Sequence, residues 1–149
     1  MPQPIEFQVT VDCADPHELA AWWAETLQWE LEPTNEEFIR QMVAQGHATE
    51  AETRQWRGQL WWAAGAAIGL PGAAEAVGCR RVLFQVVPEG KSVKNRVHLD
   101  LRFDAAGGDL DATRDALLAR GAGFLHEASQ GPYRWYTMTD PEGNEFCVS

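Results

Sequence analysis

The order in which strand and helix signals arrive constrains this 149-residue chain more than any single motif: strand, helix, three strands, then the same again. In the first round Ile5, Phe7, Val9 and Val11 alternate with Glu6, Gln8, Thr10 and Asp12, the period of a strand with one face on a core. Asp15-Pro16-His17-Glu18 then opens a helix, with Asp15 capping free amides, Pro16 in the first position and Glu18 at the positive end of the dipole. Leu19, Trp22, Trp23, Thr26 and Leu27 recur at helical spacing, while His17 reads as exposed. Gln59 to Ala63 and Ala66 to Leu70 read as a hairpin, and Arg81 to Val87 as the closing strand.

The second round opens on KNRVHLDLRF, Lys94 to Phe103. Val97, Leu99, Leu101 and Phe103 predict a buried face; Arg96, His98, Asp100 and Arg102 predict a wet one. A helix follows over Leu110 to Arg120, with Leu110, Leu117 and Leu118 inward and Gly121 ending it. Phe124 to Glu127, Tyr133 to Thr139 and Glu145 to Val148 are three further strands. Asp140-Pro141-Glu142-Gly143-Asn144 joins the last two as a tight reversal. Two short helices, Glu36 to Gln45 and Thr49 to Trp56, interrupt the first round; the second opens with the capping box Thr49-x-x-Glu52. His47 at their junction reads as exposed. An alanine- and glycine-rich loop over Pro71 to Gly78 and a turn over Asp104 to Gly108 complete the pattern.

The expected architecture is therefore α+β: two βαβββ modules forming a cupped, mostly antiparallel sheet with helices on its outer face, plus a short helical insert in the first module. One domain spans 1–149, with module one over 1–90, its insert over 35–56, and module two over 91–149. Neither module hides its sheet alone, so the polar rungs are expected to line a hollow.

Composition removes whole classes of function. With 45% hydrophobic and 23% charged residues the chain is globular rather than disordered. A net charge of −10, without a basic stripe, excludes a nucleic-acid partner and would steer small cations toward the surface. The longest apolar run, Leu60 to Leu70, contains two glycines and is too short to cross a bilayer, so no membrane role is expected. Cys13, Cys79 and Cys147 have no CxxC spacing, and no basic-then-apolar leader is legible, which fits a reduced cytoplasmic protein.

Gln8 to Asp15 leading into a tryptophan-bearing helix, the KNRVHLDL strand and the TDPEGNEF turn together resemble the vicinal oxygen chelate superfamily. That group holds glyoxalase I, extradiol dioxygenases, fosfomycin-resistance transferases and bleomycin-binding proteins; within it, the small bacterial glyoxalase-like domain proteins are most similar. The resemblance covers essentially the whole chain. It implies a metal ligand on the first strand of each half, here Gln8 and His98, and a site position on the last strand of the first half, here Gln85. It also implies a metal-binding glutamate three residues after the turn asparagine, and this chain departs from that: the position is Cys147. Glu145, two residues earlier on the same face, is the candidate catalytic carboxylate.

The metal candidates are thus Gln8, His98 and Cys147, and the ligand-binding candidates Trp61, Trp62, Gln85, Asp100 and Trp135. One of Trp61 and Trp62 must face the hollow, where an aromatic wall suits a planar ligand. Each candidate also has a plainer reading. Cys147 serves equally as a small filler, and His98 as a structural histidine paired with Asp100 or Glu145. His126 reads as surface. A divalent metal (Zn, Ni, Mn or Mg) is compatible with these residues but not required by them. The expected function is binding of an unidentified small organic molecule in the β-cup by a homodimer, in a resistance or sequestration role. The alternative is a divalent-metal-dependent lyase or isomerase working through an enolate-type intermediate. A third reading, an interaction protein with a vestigial cup, rests on the acidic insert.

Overall fold

A computed structural model describes residues 1–72, 81–103 and 108–149. Cys79, most of the expected alanine-rich loop and residues 104–107 of the expected turn lie outside these. The fold is α+β with mostly antiparallel sheets, and it divides into two compact units, Met1–Gly90 and Lys91–Ser149.

In the N-terminal unit, β1 (Val9–Cys13) pairs in parallel with β6 (Arg81–Val86). β5 (Gly65–Gly69) and β2 (Glu30–Leu31) extend that sheet antiparallel, in the order β1-β6-β5-β2. Helix α1 (Pro16–Leu27) is capped by Asp15, whose carboxylate accepts the Glu18 amide at 3.2 Å. Its Leu19, Trp22 and Trp23 are buried, as are Ala66 and Ile68 of β5 and Val82 and Phe84 of β6. The other face of the sheet carries Thr10, Asp12 and Gln85, all exposed.

Helix α2 (Glu36–Ala44) forms as expected, with Asn35 capping the Phe38 amide. The helix expected over Thr49 to Trp56 does not. The capping box is made, with the Glu52 carboxylate accepting the Thr49 amide at 2.6 Å, but the chain leaves after one 3₁₀ turn (Glu50–Glu52) and enters β3 (Thr53–Trp56). A capping box starts a helix; it cannot sustain one against a strand partner. That partner is β4 (Gln59–Trp62), joined through Arg57 and Gly58, both at positive φ (48° and 76°), the geometry that matches the twist of a two-residue hairpin. The predicted hairpin between Gln59 to Ala63 and Ala66 to Leu70 is therefore corrected. The first pairs back onto β3, and the second joins the main sheet, whose second strand is the two-residue β2.

The C-terminal unit repeats the strand order: β7 (Asp100–Leu101) is parallel to β10 (Glu145–Val148), then β9 (Tyr133–Thr139) and β8 (Gly123–Gln130) follow antiparallel. The strand expected over Lys94 to Phe103 is much shorter, and Val97 is 84% exposed rather than buried. Among the described residues β7 pairs with β10 alone, and the ladder bonds run from Leu99 to Phe103: Cys147 N donates to Leu99 O, and Ser149 N to Leu101 O. Upstream, β10 gives way to the turn, so residues before Leu99 have no partner strand. Asn95 N donates instead to the Glu145 carboxylate. Periodicity reported which residues could alternate, not where hydrogen-bond partners run out.

Helix α3 (Leu110–Ala119) is capped by Asp109 and buries Leu117, but leaves Leu118 exposed, against expectation. Its Asp111 accepts the Tyr136 hydroxyl proton, and Arg114 lies over the Tyr136 ring, tying α3 to the apolar face of β9. Gly121, at φ 101°, ends the helix.

Candidate functional site

The turn between β9 and β10 sets the site. The buried Asp140 carboxylate accepts the amides of Glu142 and Asn144 and the Asn144 side chain, and Gly143 takes φ 88°. This closes the hairpin in one register, Glu145 opposite Thr139 and Cys147 opposite Thr137. Since β7 pairs Asp100 with Cys147, and β8 pairs His126 with Thr137, one rung runs across the whole sheet: Asp100, Cys147, Thr137, His126. Leu101, Tyr136, Phe146 and Val148 alternate with these onto the buried face.

His98 lies two residues before Asp100, and its Nδ1 meets the Asp100 carboxylate at 3.0 Å. Asp100 thereby fixes the ring, with Nδ1–H donating and Nε2 left as an acceptor. One donor atom from each of His98, Asp100 and Cys147 falls within 4.8 Å of the others. Thr137 Oγ1 sits 3.5 Å from the Cys147 sulfur. These residues line an open hollow of about 1160 Å³ walled also by Trp135, Tyr133, Glu145, Lys94 and Arg102. Glu145 is firmly held: Lys91 Nζ lies 3.1 Å away and the Asn95 amide 2.9 Å. Burial works to raise its carboxyl, but the backbone amides and the Lys91 ammonium outweigh it and keep the group below the ordinary carboxylate range.

Of the residues the sequence singled out, His98, Asp100, Cys147, Glu145 and Trp135 come together on this face. Gln8 and Gln85 are exposed in the N-terminal unit. Gln8 lies just before β1, where its carbonyl oxygen accepts from Arg81 at 2.9 Å, and Arg81 also grips Glu32. Trp61 is buried in the hairpin, its ring against His17 and Trp56; Trp62 is half-buried. Thr137 was not singled out, although strand alternation from Trp135 would have placed it on the open face, and His126, read as surface, is exposed on the same rung.

A second polar cluster was missed altogether. His17, expected on the surface, is 0% exposed. Its Nε2 lies 3.1 Å from the Trp62 carbonyl and its Nδ1 3.0 Å from Arg54 Nη1. Arg54 cannot accept, so Nδ1 does, and Nε2–H donates to the carbonyl. Arg54 also grips both Asp15 oxygens, at 2.7 and 3.3 Å. That hydrogen bond holds the Asp15 carboxyl below its usual range, while burial and then the Arg54 charge push the His17 imidazole down. Nothing local to His17 signals this, because its partners are 37 and 45 residues away.

The donor chemistry of the C-terminal rung bears on a metal. One imidazole, one thiol and one carboxylate suit a borderline-soft ion of the zinc class, with positions left for a bound molecule. A set of this kind suits magnesium or manganese less well, since those ions favour oxygen donors.

Two units with the same strand order, parallel first and last strands and antiparallel strands beyond, define the class of fold. The chain belongs to the glyoxalase-like domain family, whose model matches residues 8–149. It shares the fold of the glyoxalase/bleomycin resistance/dioxygenase superfamily. The fosfomycin resistance protein FosX from Listeria monocytogenes aligns at TM-score 0.59 and 11% identity, over 99% of this chain and 93% of that one. A variant of it complexed with Mn(II) and 1S,2S-dihydroxypropylphosphonic acid aligns at TM-score 0.60 and 10% identity, covering 99% and 90%. A glyoxalase family protein from Bacillus anthracis aligns at TM-score 0.51 and 17% identity, covering 99% and 97%. At such identities the likeness is one of fold. No curated protein sequence matches the chain.

Proposed function

We propose that this chain is a glyoxalase-type small-molecule-binding protein whose C-terminal sheet face is centred on a zinc-class divalent cation. The observation that carries this is the convergence of His98, Asp100 and Cys147 donor atoms within 4.8 Å at the hollow. Asp100 supplies the carboxylate that the expected glutamate position lacks. Asp100 and His98 Nδ1 are 3.0 Å apart, so an ion held by both would take the place of that hydrogen bond, and Cys147 lies between Asp100 and Thr137 on the rung. When bound, the ion would supply a Lewis acid toward an oxygen of the bound molecule. Gln8, Gln85, Trp61 and Trp62 are assigned no ligand contact in this reading.

The second reading is a metal-dependent lyase or isomerase, and open positions around a three-donor site favour it. The carboxylate for it is Glu145, which Lys91 and Asn95 hold in its charged form. A carboxylate whose charged form is stabilised is a weaker base, and this is why binding is placed first. A homodimer is part of the proposal; it would cover the exposed Ile5, Phe7, Val93 and Val97.

Zinc titration of chelator-stripped protein against a colorimetric competitor tests the site. One zinc per chain is expected, with affinity falling about 100-fold in His98→Ala and Cys147→Ser and about tenfold or more in Asp100→Asn. Absent stoichiometric zinc, or unchanged affinity in the first two variants, the metal centre is wrong.

A further inference from the structure

The charges around the hollow are not those of the whole chain. The protein carries a net charge of −10, yet among side chains the hollow is lined by Lys94, Arg102 and Arg134 against two carboxylates, Asp100 and Glu145. Both carboxylates are engaged, Asp100 by the His98 ring and Glu145 by Lys91 and the Asn95 amide. Arg134 is likewise held, by Asp111 and Glu127. Arg102 and Lys94 differ. Among the described residues neither forms an ion pair, and Lys94 reaches only the carbonyl of its neighbour Asn95. With Glu145 and Arg134 paired elsewhere, Lys94 and Arg102 stand against the side chain of Asp100 alone, and the surplus of positive charge is left to be met by something else. An arginine presents a planar fork of donors suited to a carboxylate.

The apolar part of the lining gives the rest of the ligand. Trp135 stands two residues before Thr137, on the same face as the donor rung, and Tyr133 is 73% exposed at the start of the same strand. An aromatic side chain in the lining of a hollow that also holds an uncommitted guanidinium can cover a flat apolar body.

We infer that the hollow on the C-terminal sheet takes a small organic anion with a flat apolar body, an aromatic carboxylate, anchored by Arg102 and Lys94 and covered by Trp135. This deepens the reading of that face as a small-molecule site and rests on it. It reverses the expectation from total charge that cations would be drawn in: a ligand at the sheet feels the side chains within one Debye length (roughly 8–10 Å) more than the distant surface.

Calorimetric titration with benzoate, benzylamine and acetate, on chelator-stripped and zinc-loaded protein, tests it. Benzoate should bind at least about tenfold more tightly than benzylamine, since the charge-assisted contacts are lost with the wrong sign. Acetate should bind more weakly than benzoate, and more weakly still in the presence of salt. Arg102→Gln should weaken benzoate by about tenfold while leaving zinc stoichiometry and melting temperature unchanged, because the side chain is exposed and unpaired. Trp135→Ala should erase the preference of benzoate over acetate. Benzylamine binding as tightly as benzoate, or benzoate affinity indifferent to Arg102→Gln, overturns the assignment even where zinc binds normally. Failure of zinc to bind while benzoate still depends on Arg102 removes the metal centre and leaves the anion site standing.

Discussion

His17 and His98 each belong to a cluster that holds an aspartate, and their ring nitrogens are satisfied in different ways. His17 has both ring nitrogens committed, to Arg54 and to the Trp62 carbonyl, with Trp56 and Trp61 about 5.5 Å from its ring. It seals the β3–β4 hairpin against the start of α1. His98 has one nitrogen committed, to Asp100, and lines an open hollow. The difference is not in residue type but in whether the second nitrogen has met a protein partner. A buried histidine with both nitrogens bonded is a structural joint, and a half-saturated exposed one keeps a nitrogen available to a further partner.

The most direct way to break this contrast is to truncate each ring. His17→Ala removes a fully buried side chain and strands a carbonyl and a guanidinium contact, so a loss of about 2–4 kcal/mol in urea unfolding is expected. His98→Ala, by the same measurement, should change stability by no more than about 0.5 kcal/mol. Equal losses would show that the two histidines do the same job. A milder perturbation reaches the joint from its far end. Gly58 holds φ 76° in the turn of the hairpin that carries Arg54, and Gly58→Ala should cost about 1 kcal/mol while leaving zinc affinity untouched.

The smallest effect is one of pH. The folded His17 pKa lies below its free value, so the unfolded chain takes up the proton first. The stabilisation from neutral His17 is complete above about pH 6.5 and declines as pH falls from there toward the lower folded value. Asp15 is lowered too, and its contribution is lost only as pH falls below the ordinary carboxylate range. Arg54, Glu18 and Asp15 are the charged groups facing the ring. Unfolding free energy compared between pH 7.5 and 5.5 should therefore drop more in the wild-type chain than in His17→Gln. A parallel drop in both would assign the pH dependence elsewhere.

Much of the candidate site's geometry was legible because it is built from strand alternation and one turn. TDPEGNEF specifies a reversal whose Asp140 and Gly143 allow a single register, and that register sets Cys147 opposite Thr137. His98 and Asp100, two apart, had to share a face. The N-terminal unit was harder to read. Its second strand is only Glu30–Leu31, too short to show a period, and the stretch Thr53–Trp56 follows a genuine capping box yet pairs as a strand. Val97 kept perfect alternation and is nonetheless exposed, since a strand needs a partner as well as a pattern.

What the sequence determined by itself was local: which residues cap, which turn, which side chains share a face, and that five elements recur. Only the tertiary structure decided which of those faces stayed open and which polar groups met partners. Arg54 and the Trp62 carbonyl reach His17 across 37 and 45 residues, while among the described residues no acidic side chain pairs with Arg102. Covalent spacing constrains neighbours to within a turn or a pleat, but the pairing of buried polar atoms is settled by whichever distant groups packing brings within about 3 Å.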